Sequence, residues 1–141
     1  MQQHVSLITL GVADKQRARE FYEALGWQGV GGTGDEPVFF QAGAMVVALW
    51  EREQLAADSC VTDTGGWGGV TLALCLTSDD EVDAVVEEAR RAGGTVGRAP
   101  GPTFWGGYSA LFLDPDGHPW EVAHNPVWHV TPDGAAYLTG S

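Results

Sequence analysis

The sequence predicts an α+β fold made of two copies of a β-α-β-β-β unit, and three repeated features predict it. Ala18, Phe21, Tyr22 and Leu25 form an i, i+3, i+4, i+7 apolar stripe, and Val82, Val85, Val86 and Ala89 form the same stripe 64 residues later. Asp14 and Ser78, also 64 residues apart, stand where each helix needs an N-cap. A hairpin pattern then closes each copy.

The elements follow in order. Val5 to Val12 and Val70 to Leu76 are apolar runs rich in Val, Leu and Thr, and read as the first strand of each unit. Ser78 with Glu81 has the capping-box spacing, in which each residue covers a backbone N–H near the other. Gly26, and later Gly93 with Gly94, stop the helices. The Gly-containing segments GWQGVGG and GGTVGRAP are too broken for helix and fit a short twisted strand. PVFFQ, a turn around Ala42 and Gly43, and MVVALW form the first hairpin; YSALFL, the turn DPDG and PWEVAH form the second. Pro115 presets φ in that second turn and Gly117 can take a positive φ.

These boundaries give one domain with a first module at about 1–55, a linker at about 56–68, a second module at about 69–126 and a tail at 127–141. From about Arg52 to Gly69 the chain is polar and Gly-rich, suited to a flexible crossing or a lid. Trp67, set among glycines, would fold over a pocket, pack on a neighbouring chain or anchor the loop at the core edge.

With 141 residues, 44% of them hydrophobic and 18% charged, the chain can bury a core without disulfide or metal support. No stretch approaches the roughly 20 apolar residues of a membrane span, and no basic-then-apolar leader opens the sequence, so a cytoplasmic protein is expected. Cys60 and Cys75 are too few for a disulfide framework or zinc cluster and are expected as free thiols. A formal charge of -12 repels phosphate backbones and argues against nucleic acid as a partner. It reads as a solvated acidic surface, with attraction of a cationic ligand as the alternative.

A repeated unit carrying TLGVADKQRAREFYEALGW early and FWGGYSALFLDPDGHPWEVAHNP late resembles the vicinal oxygen chelate superfamily, which includes glyoxalase I, bleomycin-resistance proteins and extradiol dioxygenases. The resemblance spans residues 5 to 126. It implies two βαβββ modules forming an incomplete eight-stranded barrel around a pocket, often completed across a homodimer. Metal-dependent members carry His, Glu or Gln ligands on the first and last strand of each module, leaving sites for a bidentate substrate.

Counted back from the caps, the resemblance places the first ligand position at Leu7 and its counterpart at Thr71. Matching Gly43 to Gly117 makes Val47 the counterpart of Glu121, and a slip of two makes it Leu49. Only Glu121 then has a ligand-type side chain, and one carboxylate does not hold a catalytic metal against water. The expectation is no metal cofactor. His4, His118, His124 and His129 share no helical or strand face that would replace the missing ligands. Glu121 in an apolar barrel would serve as a general acid or base, or else sit in an ion pair as a relic of the fold.

Trp105 and Tyr108 flank Gly106 and Gly107 just before a strand, which suits a pocket rim for planar or cationic guests and equally suits core packing. Phe39 and Phe40 must face opposite ways, and with Trp50 they offer aromatic surface from the first hairpin. Trp120 and Trp128 read as structural. The candidate ligand-binding set is therefore Leu7, Phe39, Val47, Leu49, Trp50, Thr71, Trp105, Tyr108 and Glu121.

Three functions fit: a metal-independent protein holding a planar or cationic compound in an aromatic, acidic groove; a lyase, isomerase or dioxygenase, metal-dependent or using Glu121 for proton transfer; and a subunit whose groove meets another protein. The first agrees best with the lost ligands, and a homodimer is expected under all three.

Overall fold

The Asp14 carboxylate accepts the backbone N–H of Arg17 at 3.0 Å, so helix α1 (Lys15–Ala24) starts at the expected cap. Helix α3 (Asp79–Arg91) likewise starts at Ser78, whose hydroxyl accepts the Glu81 N–H at 3.2 Å. Glu81 returns the bond one residue early, to the N–H and hydroxyl of Thr77. The computed structural model describes residues 1–138, in two units that join at Gly68 and Gly69. Each unit is a βαβββ module with one four-stranded sheet.

In the first unit β1 (Leu7–Val12), α1, β2 (Gly29–Gly31), β3 (Val38–Ala42) and β4 (Met45–Glu51) form an open sheet in the order β1-β4-β3-β2. Strands β1 and β4 run parallel and the other pairs antiparallel. Alternation along the strands buries Leu10, Val12, Val38, Phe40, Val47 and Leu49 against Ala18, Phe21 and Tyr22 of α1. Phe40 lies 5.8 Å from the Tyr22 ring and 5.5 Å from Trp27, an aromatic cluster closing the core behind the helix.

The linker departs from the sequence reading. Instead of a flexible crossing it opens with a helix, α2 (Arg52–Asp58), packed on β1 and β4. A side chain at Gly11 would meet Arg52 Cγ at 3.0 Å, so the glycine is what lets α2 approach the strand. No side chain caps α2 and its only large apolar residue is Leu55, so no stripe announced it.

In the second unit β5 (Leu72–Leu76), α3, β6 (Thr95–Pro102), β7 (Tyr108–Leu113) and β8 (Pro119–His124) repeat the pattern in the order β5-β8-β7-β6. Ala110, Phe112, Trp120 and Val122 bury against Val82, Val86 and Ala89, with the Phe112 and Trp120 rings stacked at 6.1 Å. The turn between β7 and β8 is a five-residue cage. Asp114 accepts the N–H groups of Asp116 and His118 at 2.9 Å each and the His118 ring at 2.7 Å, and Gly117 takes φ +85°. Beyond β8, β9 (His129–Val130) and β10 (Ala136–Tyr137) pair as a small hairpin where a plain tail was expected. Trp128, read from the sequence as structural, stands at its base and is 41% exposed. Among the described residues no helix is long and apolar enough to cross a membrane.

Candidate functional site

Each sheet has one face under its helix and one turned away from it, and residues paired across neighbouring strands share a face. In the first sheet Val30, Phe39, Ala48 and Thr9 form one row on the face away from α1, joined by the pairs Val30–Phe39, Phe39–Ala48 and Thr9–Ala48. Leu7, Trp50 and Gly11 share this face through the pairs Leu7–Val46 and Gly11–Trp50. Phe39 therefore looks away from the helix, 38% exposed, and Phe40 is the core ring. Trp50 is held in place by its indole N–H, which donates to the Asp35 carbonyl at 2.8 Å.

Val47 and Leu49 are corrected. They pair with Phe40 and Val38 and are buried with them under α1, 5% and 0% exposed, on the opposite face from Leu7. The physical reason is the turn. The first hairpin turns in two residues, Gly43 and Ala44, and the second in five, so matching glycine to glycine slips the register. Parallel pairing restores it: Thr9 opposes Ala48 just as Ala73 opposes Glu121. Ala48 is the first-module counterpart of Glu121.

In the second sheet Glu121 shares its face with Leu111 and Ala73, and by alternation with Cys75, Ser109 and Ala123. The carboxylate is half-buried and, among the described residues, makes no hydrogen bond or ion pair. Burial, and then the Glu121 charge, push the Cys75 thiol above its ordinary range. Arg98 pairs with Leu111 and its Nη2 donates to Ser109 Oγ at 2.7 Å, placing the guanidinium on the same face. Thr71 lies one residue ahead of β5, exposed.

Tyr108 is also corrected. It pairs with His124 on the helix side of the sheet, and its hydroxyl donates to Asp83 of α3 at 2.7 Å, which raises the phenol's pKa and binds helix to sheet. His124 makes a similar tie to Asp79 at 2.8 Å. Trp105 does not stand as a free rim: its six-membered ring lies over Gly107, where a Cβ would meet it at 1.8 Å.

On the outward face of the first sheet, β1, α2 and residues 61–68 of the linker enclose a cleft of about 420 Å³. Its walls include Thr9, Gly11, Arg52, Leu55, Asp63 and Trp67. Arg52 holds the loop down through two bonds of 2.8 Å to Asp63, whose other tie is the Gly65 N–H at 2.9 Å. Those bonds hold the Asp63 carboxyl well below the usual carboxylate range. Trp67 at the cleft mouth is 71% exposed. Sequence reading missed Thr9, Arg52, Asp63, Arg98 and Ser109. Parity would have found Thr9 from Leu7, whereas irregular pairing on both sides of Arg98 hides that residue's face.

The donor set does not suit the metal that the resemblance implies. In the first module Leu7 and Ala48 offer no ligand atom, and in the second Thr71 and Glu121 offer a hydroxyl and one carboxylate. Among the described residues no three His, Cys, Asp or Glu side chains gather where they could hold an ion.

A duplicated βαβββ unit with its outward faces lined by small, aromatic and a few charged side chains defines a class of small-molecule-binding α+β proteins. The sequence model of the Glyoxalase/Bleomycin resistance protein/Dioxygenase superfamily matches residues 3–122, and the chain belongs to that superfamily. A glyoxalase-related enzyme from Fulvimarina pelagi is 36% identical, with a TM-score of 0.88 over 97% of this chain and 99% of that one. A hypothetical protein from S. aureus is 29% identical, with a TM-score of 0.76 over 89% and 95% of the two chains. A lactoylglutathione lyase from Agrobacterium tumefaciens, 21% identical with a TM-score of 0.69 over 90% and 97%, shares the fold. A search of the curated proteins finds no match.

Proposed function

We propose that this protein binds a planar or cationic small molecule on an outward sheet face without using a metal. The observation that carries the reading is the corrected register. At the four corresponding positions, Leu7, Ala48, Thr71 and Glu121, only the last has a side chain that readily ligates a divalent ion. The outward face of the first module offers flat aromatic surface in Phe39 and Trp50, and that of the second, by itself, offers the Glu121 carboxylate, which no cation of the described residues answers. The acidic balance of the chain, 19 carboxylates to 7 basic side chains, favours a cationic guest.

Elemental analysis of the purified chain tests this. We expect no stoichiometric Zn, Ni, Fe or Mn, and one ion per chain would overturn the reading. The unpartnered state of Glu121 also favours a second reading, a metal-free enzyme that uses this carboxylate for proton transfer. Replacing Glu121 with Gln separates the two: a binder keeps its affinity for a neutral planar guest, and an enzyme loses roughly 100-fold in rate. Under either reading we expect a cytoplasmic homodimer, and sedimentation of the free chain checks the stoichiometry.

A further inference from the structure

The second sheet carries a row that its first-module counterpart lacks. Pairing aligns Arg98, Leu111, Glu121 and Ala73 across β6, β7, β8 and β5, on the face away from α3. The matching row of the first sheet is Val30, Phe39, Ala48 and Thr9, with no charge in it.

Both charges of this row are unanswered within the described residues. The Arg98 guanidinium bonds a neutral hydroxyl, Ser109, and reaches no carboxylate, and Glu121 reaches no cation. In a chain so rich in acids Arg19, Arg52, Arg90 and Arg91, by contrast, all lie within ion-pair distance of a carboxylate. Two strand spacings of about 5 Å put the Arg98 and Glu121 Cα atoms about 10 Å apart, with Leu111 between them. The Ser109 bond turns the guanidinium along the sheet, and four of its five N–H donors stay available.

We propose that this row binds a small dipolar compound, its acidic group on Arg98, its amine on Glu121 and an apolar spacer lying over Leu111. The proposal rests on the reading of this face as a metal-free ligand site that receives a cationic group, and adds to that group an acidic one at the far end of the same guest. An α-amino acid, whose ammonium and carboxylate groups are bonded to one and the same carbon, does not span the row. A chain of several methylenes between the charges does.

Titration of the full chain followed by amide NMR tests this with ω-aminohexanoate as probe and hexanoate, hexylammonium and glycine as comparators. Each charged hydrogen-bonded contact is expected to contribute about tenfold or more in affinity, so the probe should bind at least that much more tightly than each comparator. Arg98→Gln should reduce its affinity to that of hexylammonium, and Glu121→Gln to that of hexanoate. Failure of the wild-type chain to bind ω-aminohexanoate, or equal binding of glycine, overturns the proposal. So does an Arg98→Gln chain that binds the probe undiminished, and in that case loss of hexylammonium binding in Glu121→Gln leaves the cation-binding function intact. A stoichiometric metal in the protein would instead remove the function on which the proposal rests.

Discussion

Phe39 and Phe40 are adjacent on β3 and chemically identical, yet the structure gives them opposite work. Phe40 is 1% exposed and packs on Tyr22 and Trp27; Phe39 is 38% exposed on the outward face. Truncating a core phenylalanine costs about 4 kcal/mol, the sum of lost transfer energy and a cavity that the neighbours fill only in part. At roughly 3 °C per kcal/mol for a chain near this length, Phe40→Ala should lower Tm by about 12 °C. Phe39→Ala opens no closed cavity and gives up only partly covered surface, so about 1 kcal/mol and about 3 °C are expected. Both variants lose the same strand propensity, so that contribution cancels from the comparison. Calorimetry of the two variants at one pH measures the difference directly. A gap below about 3 °C would refute the face assignment, and with it the register that makes Ala48 the first-module counterpart of Glu121.

Two further outcomes follow from the titrating groups. Because the Arg52 and Gly65 bonds lower the Asp63 pKa in the folded state, their contribution is complete above the unfolded value of about 3.9 and fades only as pH falls toward the lowered one. The Gly65 amide shift should therefore stay constant from neutral pH to about 4, and a transition centred near 4 would show that the tether is not formed in solution. Burial and the nearby Glu121 charge raise the Cys75 pKa, so at pH 8 less of it is thiolate than of an ordinary cysteine. Iodoacetamide should label the exposed Cys60 first, and Glu121→Gln should speed Cys75 by less than about tenfold, since burial is the larger cause. Mass spectrometry of the labelled chain would contradict this if Cys75 reacted first.

The fold was legible wherever a residue makes its own local case. Asp14 and Ser78 cap the helices they were expected to cap, and Ala18, Phe21 and Tyr22 bury as their spacing requires. Gly117 takes the positive φ its turn needs. The candidate site was less legible because it depends on register, which strand sequences leave open. Ala48 escaped notice since nothing within MVVALW distinguishes it from Val47 or Leu49; only the lengths of the two turns decide. Tyr108 looked like a rim residue because its partner, Asp83, lies 25 positions away on a helix face. Helix α2 was hidden because its docking depends on a glycine in another strand, not on any pattern of its own.

The two rows, Val30-Phe39-Ala48-Thr9 and Arg98-Leu111-Glu121-Ala73, occupy the same places in two frameworks that share caps, helix stripes and strand order. Their side chains point away from the helices that consolidate each module, so recognition is written in a layer that folding does not read. Exchanging Val30, 67% exposed, with Arg98 should move polarity from one half of the molecule to the other at little structural expense, whereas Ala48, 1% exposed, offers a carboxylate no such place. The internal duplication thus doubles as a ready-made scaffold for choosing a new guest.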